Sequence, residues 1–388
     1  MTDTDRKEKL EQFRKETEGL ENVVGCAYDP DTGEYVALVR KKVPEEELDD
    51  DQVVANRTTL SSEEHGVEEV GDLRAHSLTI DAAEQLDPLP AGAEEQPDGL
   101  PWVGTGSFIG RVADPTKGRW ADGVSRGTVV RVSNAHVYVG EEFEPGREIR
   151  HPARGEPVGE LVGAVPIEDG VTVDAAARTV SSRDGWGIDG LDDAEYGGSV
   201  VSTVSDEQYG ETVTKSGRTS GVTTAEIRQL HASVNINYGT EEEPNMVRVD
   251  DCVITTELGE PGDSGAPVYL EDSGALCGLY FAGSDVAGVF SQIGNVRDEL
   301  GVEPITERDR DTRPVEHEHT GDTVKAAARE ALDEEALERV LALASGGNYE
   351  DEAPTALREI ATDEIVALVL AGASYARRRG RDLTADDL

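Results

Sequence analysis

From Trp102 to Gly301 the chain is a succession of short apolar, β-branched runs, each cut off by Gly, Asp or Pro. "GTVVRVSNAHVYV", "GELVGAV", "TVDAAARTV", "SVVSTVS", "ETVTKSGR", "NMVRVDDCVITT", "APVYL" and "GALCGLYFAG" follow one another at roughly ten- to fifteen-residue spacing. That pattern predicts an antiparallel barrel or sandwich.

The flanks read differently. Residues up to about Gly19 form a short charged helix, and "NVVGCAY" and "EYVALVR" are β-rich runs around the turn Asp29-Pro-Asp-Thr-Gly33. "KKVPEEELDD" looks like a helix start with Pro44 in its first turn, and "HGVEEVGDLRAH" offers another strand. The expected organisation is therefore a small α/β unit over 1–80 and a Pro- and acid-rich linker over 81–101, then the β-rich block over 102–302. A charged linker over 303–321 and a helical region over 322–388 complete it. At 388 residues the chain is longer than one core normally supports, in keeping with several units. No solenoid-length repeat is present.

Acidic residues outnumber basic ones 81 to 36, for a formal charge of −45, and they are spread over the whole length. Such a surface stays hydrated by carboxylates under strong salt screening, as in a halophile. It is a poor general binder of DNA or anionic membrane, so neither nucleic acid nor membrane is expected as a partner. Three cysteines, Cys26, Cys252 and Cys277, are too few for a disulfide framework. The N-terminal residues show no apolar export segment and no window approaches a membrane span, which gives a cytoplasmic expectation. No Cys/His spacing fits zinc, and no cofactor motif survives inspection. "GETVTKSG" (Gly210 to Gly217) has Thr214 where a phosphate loop needs glycine before its lysine, and reads as a strand and turn.

The chemistry concentrates in the β-rich block. "ELGEPGDSGAPVYL" places Ser264 in a tight turn, Gly262-Asp263-Ser264-Gly265. These residues suit an ordinary surface turn, and they equally suit a nucleophile whose flanking N–H groups converge on an oxyanion. A nucleophilic serine needs a base, and the base needs a group to hold its tautomer. Of seven histidines, His136, His151 and His231 lie in the block. His136 follows an apolar strand ending in Ser-Asn-Ala, a setting from which a ring can reach a cleft. His151 precedes Pro152 in a loop, and His231 has no such setting. Among the acids, Asp174 in "GVTVDAAARTV" is surrounded by Val, Ala and Thr and must have a partner if buried. Asp169, Asp184 and Asp189 sit in glycine-rich, exposed-looking stretches.

His136 in "SNAHV", Asp174 in "VDAAA" and Ser264 in "GDSGAPV" stand in the His…Asp…Ser order, and residues 100–302 resemble the chymotrypsin-like (trypsin-like) serine peptidases. The leader is similar to that of certain prokaryotic and plant trypsin-like proteins. The resemblance implies a mainly β fold, an antiparallel double β-barrel with the site in the cleft between the barrels. It implies Ser264 as nucleophile, His136 as general base, Asp174 as its orienter, and Gly262 and Ser264 N–H groups as the oxyanion hole. It also implies a substrate pocket floored by Leu258 and walled by Phe281 and Gly283, apolar and suited to a medium apolar side chain. The implied substrate is a protein or peptide, and the resemblance implies no cofactor. Ala266 replaces a second glycine after the nucleophile, and no cysteine follows His136. No internal activation sequence supplies an amine for Asp263, so that carboxylate must find another partner. The same gap motivates an alternative: a catalytically silent, protease-like peptide-binding or regulatory module with a helical interaction tail. At the C-terminus "SYARRRGRDLTADDL" is similar to part of the histone fold, and the helical region is a candidate for self-association or partner binding.

Overall fold

The computed structural model describes residues 3–20, 22–33, 35–43, 65–75, 78–79, 85–140, 142–188, 191, 196–240 and 243–306. The helix expected at Pro44, the helical C-terminal region, the histone-like segment and Asp189 lie outside the described residues.

The chain opens with α1 (Asp3–Thr17), the hairpin β1 (Val23–Tyr28) and β2 (Tyr35–Val39), then β3 (His65–Glu69) and the short β4 (Leu78–Thr79). Leu10 and Phe13 of α1 are buried against Cys26, Tyr35 and Ala37. Ten strands follow. They are β5 (Leu89–Ala91), β6 (Glu94–Pro97), β7 (Trp102–Thr105), β8 (Ile109–Val112), β9 (Arg119–Trp120), β10 (Val129–Ser133), β11 (Glu148–His151), β12 (Glu156–Ala164), β13 (Ala176–Thr179) and β14 (Asp184–Ile188). A four-residue helix, α2 (Ala135–Tyr138), leaves the end of β10. The second half holds β15 (Thr212–Gly217), β16 (Gly221–Asn237), β17 (Met246–Thr256), β18 (Pro267–Leu270), β19 (Leu276–Gly283), β20 (Ala287–Gln292) and β21 (Val302–Pro304).

The second half is a closed antiparallel barrel. Its strand order is β15-β18-β19-β20-β17-β16, and β16 pairs back onto β15. The first half orders as β8-β10-β13-β12-β11-β6-β7, with β21 returning to pair with β8. The molecule is thus mainly β, a trypsin-like double barrel. Strand β16 runs 17 residues because its bulges, and His231 at φ 50°, let it bend: its first half pairs with β15 and its second with β1. The leader is therefore not free-standing; β1, β2 and β3 extend the second barrel's sheet. Gly25 is required at that seam, since a Cβ there would lie 2.3 Å from Ser233 O.

Residues 81–101, expected as a linker, contain β6 of the first barrel's sheet and β5, which pairs with β14 in a separate two-stranded parallel sheet. Glu94, Glu95 and Gln96 are all buried, which their polarity disguises. Glu94 is paired with Arg218 and Gln96 accepts Arg154 N–H, while Glu95 faces the first barrel's interior, which holds a cluster of ions. Glu95 takes Arg178 on both oxygens (2.7 and 2.9 Å), and Arg131 Nε lies 3.0 Å from Glu95 Oε1. Asp184 receives Arg178 at 2.6 and 2.9 Å and Arg131 at 3.0 Å, and the Tyr138 hydroxyl donates to Glu95. Asp184, expected as a solvated loop acid, is thus buried and paired. Burial pushes both carboxyls up, but the two guanidiniums overcome it and hold Glu95 below its usual range and Asp184 at about 2.

The sign follows from that depression. Asp184's contribution is fully present above the ordinary aspartate pKa and is lost as pH falls toward 2. Asp184→Asn should cost about 3–5 kcal/mol at neutral pH, because it leaves a buried guanidinium underpaired. The gap between variant and wild type should narrow by about 2 kcal/mol between pH 4 and pH 2. Melting temperatures measured across that range at fixed salt check it; a gap independent of pH would show that Asp184 does not titrate with the fold.

Candidate active site

Asp174 and His136 are brought together by the end of β10. The strand terminates at Ser133, Asn134 turns, and α2 begins with amides that have no partner inside so short a helix. Asp174 Oδ1 accepts two of them, from Ala135 (2.6 Å) and His136 (3.2 Å). Its Oδ2 lies 2.5 Å from His136 Nδ1, and Asn134 Nδ2 donates to its backbone carbonyl at 2.7 Å. One carboxylate, fully buried between Val173 and Ala175, therefore fixes both the helix start and the ring. With Nδ1–H donated to Asp174, the remaining nitrogen, Nε2, is the basic one. It is buried and takes no hydrogen-bond partner among the described residues. Tyr238 packs edge-on against the imidazole, with centroids 5.8 Å apart. Burial, then the Asp174 carboxylate, pushes its phenol well above the usual pKa.

The competing histidines are accounted for otherwise. His151 is buried with both nitrogens used: Nδ1 on Glu94 O (2.6 Å) and Nε2 receiving Leu86 N–H (3.0 Å). His231 pairs with Asp251 at 2.6 Å. Asp169 is exposed and accepts Arg248 N–H.

Ser264 comes from the turn before β18. Gly262 (φ 98°) and Gly265 (φ 96°) hold the left-handed region that lets the backbone double back. At Gly265 there is no room for more than hydrogen: a Cβ would lie 2.0 Å from Thr105 O. The turn is stitched to the first barrel by Thr105, whose N–H donates to Ser264 O (2.8 Å) and whose hydroxyl donates to Gly262 O (2.9 Å). Gly104 marks how close the halves come. A Cβ there would sit 2.6 Å from the Val137 methyls, beside His136, and 3.1 Å from Ser264 O. The Ser264 hydroxyl lies 3.4 Å from Phe281 O.

The direction of two amides follows from where their peptide carbonyls are tied. Pro261 O accepts the Thr219 hydroxyl (2.8 Å) and Asp263 O accepts Ala266 N–H (2.8 Å). In a trans peptide the N–H points opposite to the C=O, so the Gly262 and Ser264 amides are directed away from those anchors. Asp263 organises the same loop. Its buried carboxylate accepts Lys215 Nζ (2.7 Å), Thr219 N–H (2.7 Å), Ser220 N–H (3.2 Å), the Ser220 hydroxyl (2.5 Å) and Glu260 N–H (3.0 Å). Burial pushes Asp263 up, but Lys215 and these donors outweigh it and hold the carboxyl below its usual range. The partner that Asp263 lacked in the sequence is thus Lys215, fully buried on β15 in the stretch that superficially resembles a phosphate loop. Sequence reasoning missed both Lys215 and Thr219. The available signal was a lysine between β-branched and small residues in a chain otherwise poor in lysine.

The pocket beside Ser264 differs from expectation. Gly283 lines it, but Leu258 and Phe281 do not; they are 1% and 0% exposed and belong to the hydrophobic cores. Its charged lining is Arg74 with Glu257, Glu260 and Asp285. An apolar pocket is therefore replaced by one richer in carboxylate than in cation. No cluster of metal-binding side chains exists among the described residues.

No protein-family model matches the chain, and no curated protein is similar to it. Solved structures are similar. Protease A of Thermobifida fusca shares 16% identity at a TM-score of 0.37, over 56% of this chain and 98% of its own. A Nocardiopsis protease shares 17% at 0.38, over 55% and 97%, and a Cellulomonas bogoriensis chymotrypsin 17% at 0.36, over 56% and 98%. These structural neighbours are serine proteases of the chymotrypsin fold.

Proposed function

We propose that the protein is a serine endopeptidase that cleaves peptide bonds through an acyl-enzyme and works in concentrated salt. The observation that supports this reading is the Asp174–His136 clasp, 2.5 Å long, which leaves a buried Nε2 with no partner among the described residues. Ser264 Oγ attacks the peptide carbonyl carbon while His136 Nε2 takes its proton. The resulting oxyanion is met by the Gly262 and Ser264 N–H groups, which Thr219 and Ala266 direct. The tetrahedral species collapses, His136 returns the proton to the departing amine, and a water repeats the sequence on the ester to free the acid. Asp174 keeps the ring in the tautomer that accepts at Nε2. The Lys215–Asp263 pair weakens the case for a silent binding module, which rested on Asp263 having no cation.

The test is labelling by a fluorophosphonate probe in molar potassium chloride. The wild type should label at one residue, and Ser264→Ala should not label at all. Equal behaviour of the two proteins would remove the peptidase reading.

A further inference from the structure

Glu94 and Glu95 stand side by side on β6, and both are buried. Successive side chains of a strand leave on opposite faces, so the two carboxylates serve different neighbours. Glu95 faces the ions of the first barrel and accepts the hydroxyl of Tyr138, which lies on α2 with His136. Glu94 is held from the other side. Its Oε1 accepts Ala153 N–H (2.8 Å), its Oε2 accepts Arg218 Nε–H (2.5 Å), and its carbonyl accepts His151 Nδ1–H (2.6 Å). Arg218 belongs to the turn that joins β15 to β16, beside the Thr219 and Ser220 amides that Asp263 holds. Glu94 and Thr105 are opposite partners on the β6–β7 ladder, so their side chains share a face. Arg218 spans both: its guanidinium meets Glu94, and its backbone N–H donates to Thr105 Oγ1 at 3.1 Å. That hydroxyl in turn donates to Gly262 O, in the loop of Ser264. One dipeptide therefore reaches the helix of the base with one carboxylate and the turn of the nucleophile with the other.

Stability alone does not account for this arrangement. A buried ion pair contributes little over an aliphatic filling of the same volume. What it adds is a short, directional link, where apolar surfaces can slide past one another. A reacting group displaced by about 1 Å loses about a hundredfold in rate, so a link of this kind matters most where two catalytic groups must meet. We infer that Tyr138, Glu95, Glu94 and Arg218 are positioning residues, which set the spacing of His136 and Ser264 from β6. The inference rests on the serine peptidase reading above. Tyr138 and Glu95 act through α2, and Arg218 and Glu94 act through Thr105 and the Gly262 loop.

Fluorophosphonate inactivation of the full chain in molar potassium chloride, followed against probe concentration, tests this. Tyr138→Phe keeps the ring and loses the hydroxyl; Arg218→Met loses the guanidinium. In each, the inactivation rate at saturating probe should fall about ten- to hundredfold, and the half-saturating concentration should not move. Arg218→Lys, which keeps a cation against Glu94, should recover part of the loss. The double variant should lose less than the product of the two single losses, because both links end on one strand. Phe13→Ala, a truncation in the core of the leader, should lower the melting temperature yet react at the wild-type rate below its transition. Should Arg218→Met not fold, Tyr138→Phe and Phe13→Ala decide the matter. A wild-type rate in either single variant, a double loss equal to the product, or an equal slowing in Phe13→Ala overturns the inference and leaves the peptidase reading standing. A wild type that does not react with the probe overturns the two together.

Discussion

Asp174→Asn should leave the barrels intact and reduce turnover on the order of ten-thousand-fold, the cost of the same change in well-studied Ser-His-Asp hydrolases. The amide oxygen can replace Oδ1 as acceptor for Ala135 and His136 N–H, so α2 keeps its start. The amide NH₂ then faces His136 Nδ1, where a carboxylate oxygen stood 2.5 Å away. A donor there demands that Nδ1 accept, and the imidazole carries its proton on Nε2. A ring in that tautomer cannot take the proton of Ser264. Asp169→Asn is the control: its carboxylate is exposed and accepts the Arg248 amide, so turnover should change less than about tenfold. Steady-state kinetics of the three proteins decide the matter, and near-normal turnover in Asp174→Asn would sink the assignment of Asp174 as the orienting acid.

Lys215→Met acts on the other half of the site. Removing the ammonium leaves Asp263 buried without its cation, at a cost of about 3–5 kcal/mol in stability. Burial then raises Asp263 with nothing to oppose it but hydrogen bonds, and the carboxyl protonates closer to neutral pH. A protonated Asp263 is a poorer acceptor for Thr219 and Ser220 N–H, which loosens the loop whose Thr219 hydroxyl ties Pro261 O. The Gly262 amide loses its fixed direction. Loss of one oxyanion donor costs about 10²–10³ in kcat, with little change in KM, because the oxyanion exists only past the ground state. In the wild type Asp263 stays ionised down to below the usual carboxylate range, so its loop does not set the acid limb of activity; in Lys215→Met its protonation moves upward and the acid limb should rise with it. Lys215→Arg, which retains a cation, should recover part of both. An unmoved acid limb and an unchanged kcat in Lys215→Met would detach Lys215 from the site.

How much of this could be read from the residues depended on where the deciding partner lay. Asp174 was legible as a buried acid with a partner because its neighbours in sequence, Val173 and Ala175, are apolar and buried as it is. The strands at Val129–Ser133, Met246–Thr256 and Leu276–Gly283 were legible because their β-branched and apolar content is local. Glu95 and Asp184 were not, because the groups that allow them inside, Arg131 and Arg178, come from other strands. The same holds for Lys215, whose acceptor is 48 positions away. Leu258 failed for a geometric reason: position relative to the nucleophile does not say which face of the turn a side chain takes, and here it turns into the core.

The ionic interior of the first barrel has a consequence for how that barrel can come apart. Arg131, Arg178, Glu95 and Asp184 are all at most 2% exposed and carry two charges of each sign, so loss of any one leaves a net charge. They are contributed by β6, β10, β13 and β14. Peeling any one of these strands leaves an uncompensated ion inside apolar walls, at a cost of several kcal/mol. Half-open forms are therefore penalised more steeply than in a barrel filled with aliphatic side chains, where each lost contact is graded by area. Because the ions are sealed from solvent, added salt does not relieve that penalty, although it screens the repulsion among the surface carboxylates. The barrel should exchange its interior amide hydrogens in one cooperative step, strand by strand inseparable, while salt tunes the acidic exterior around it.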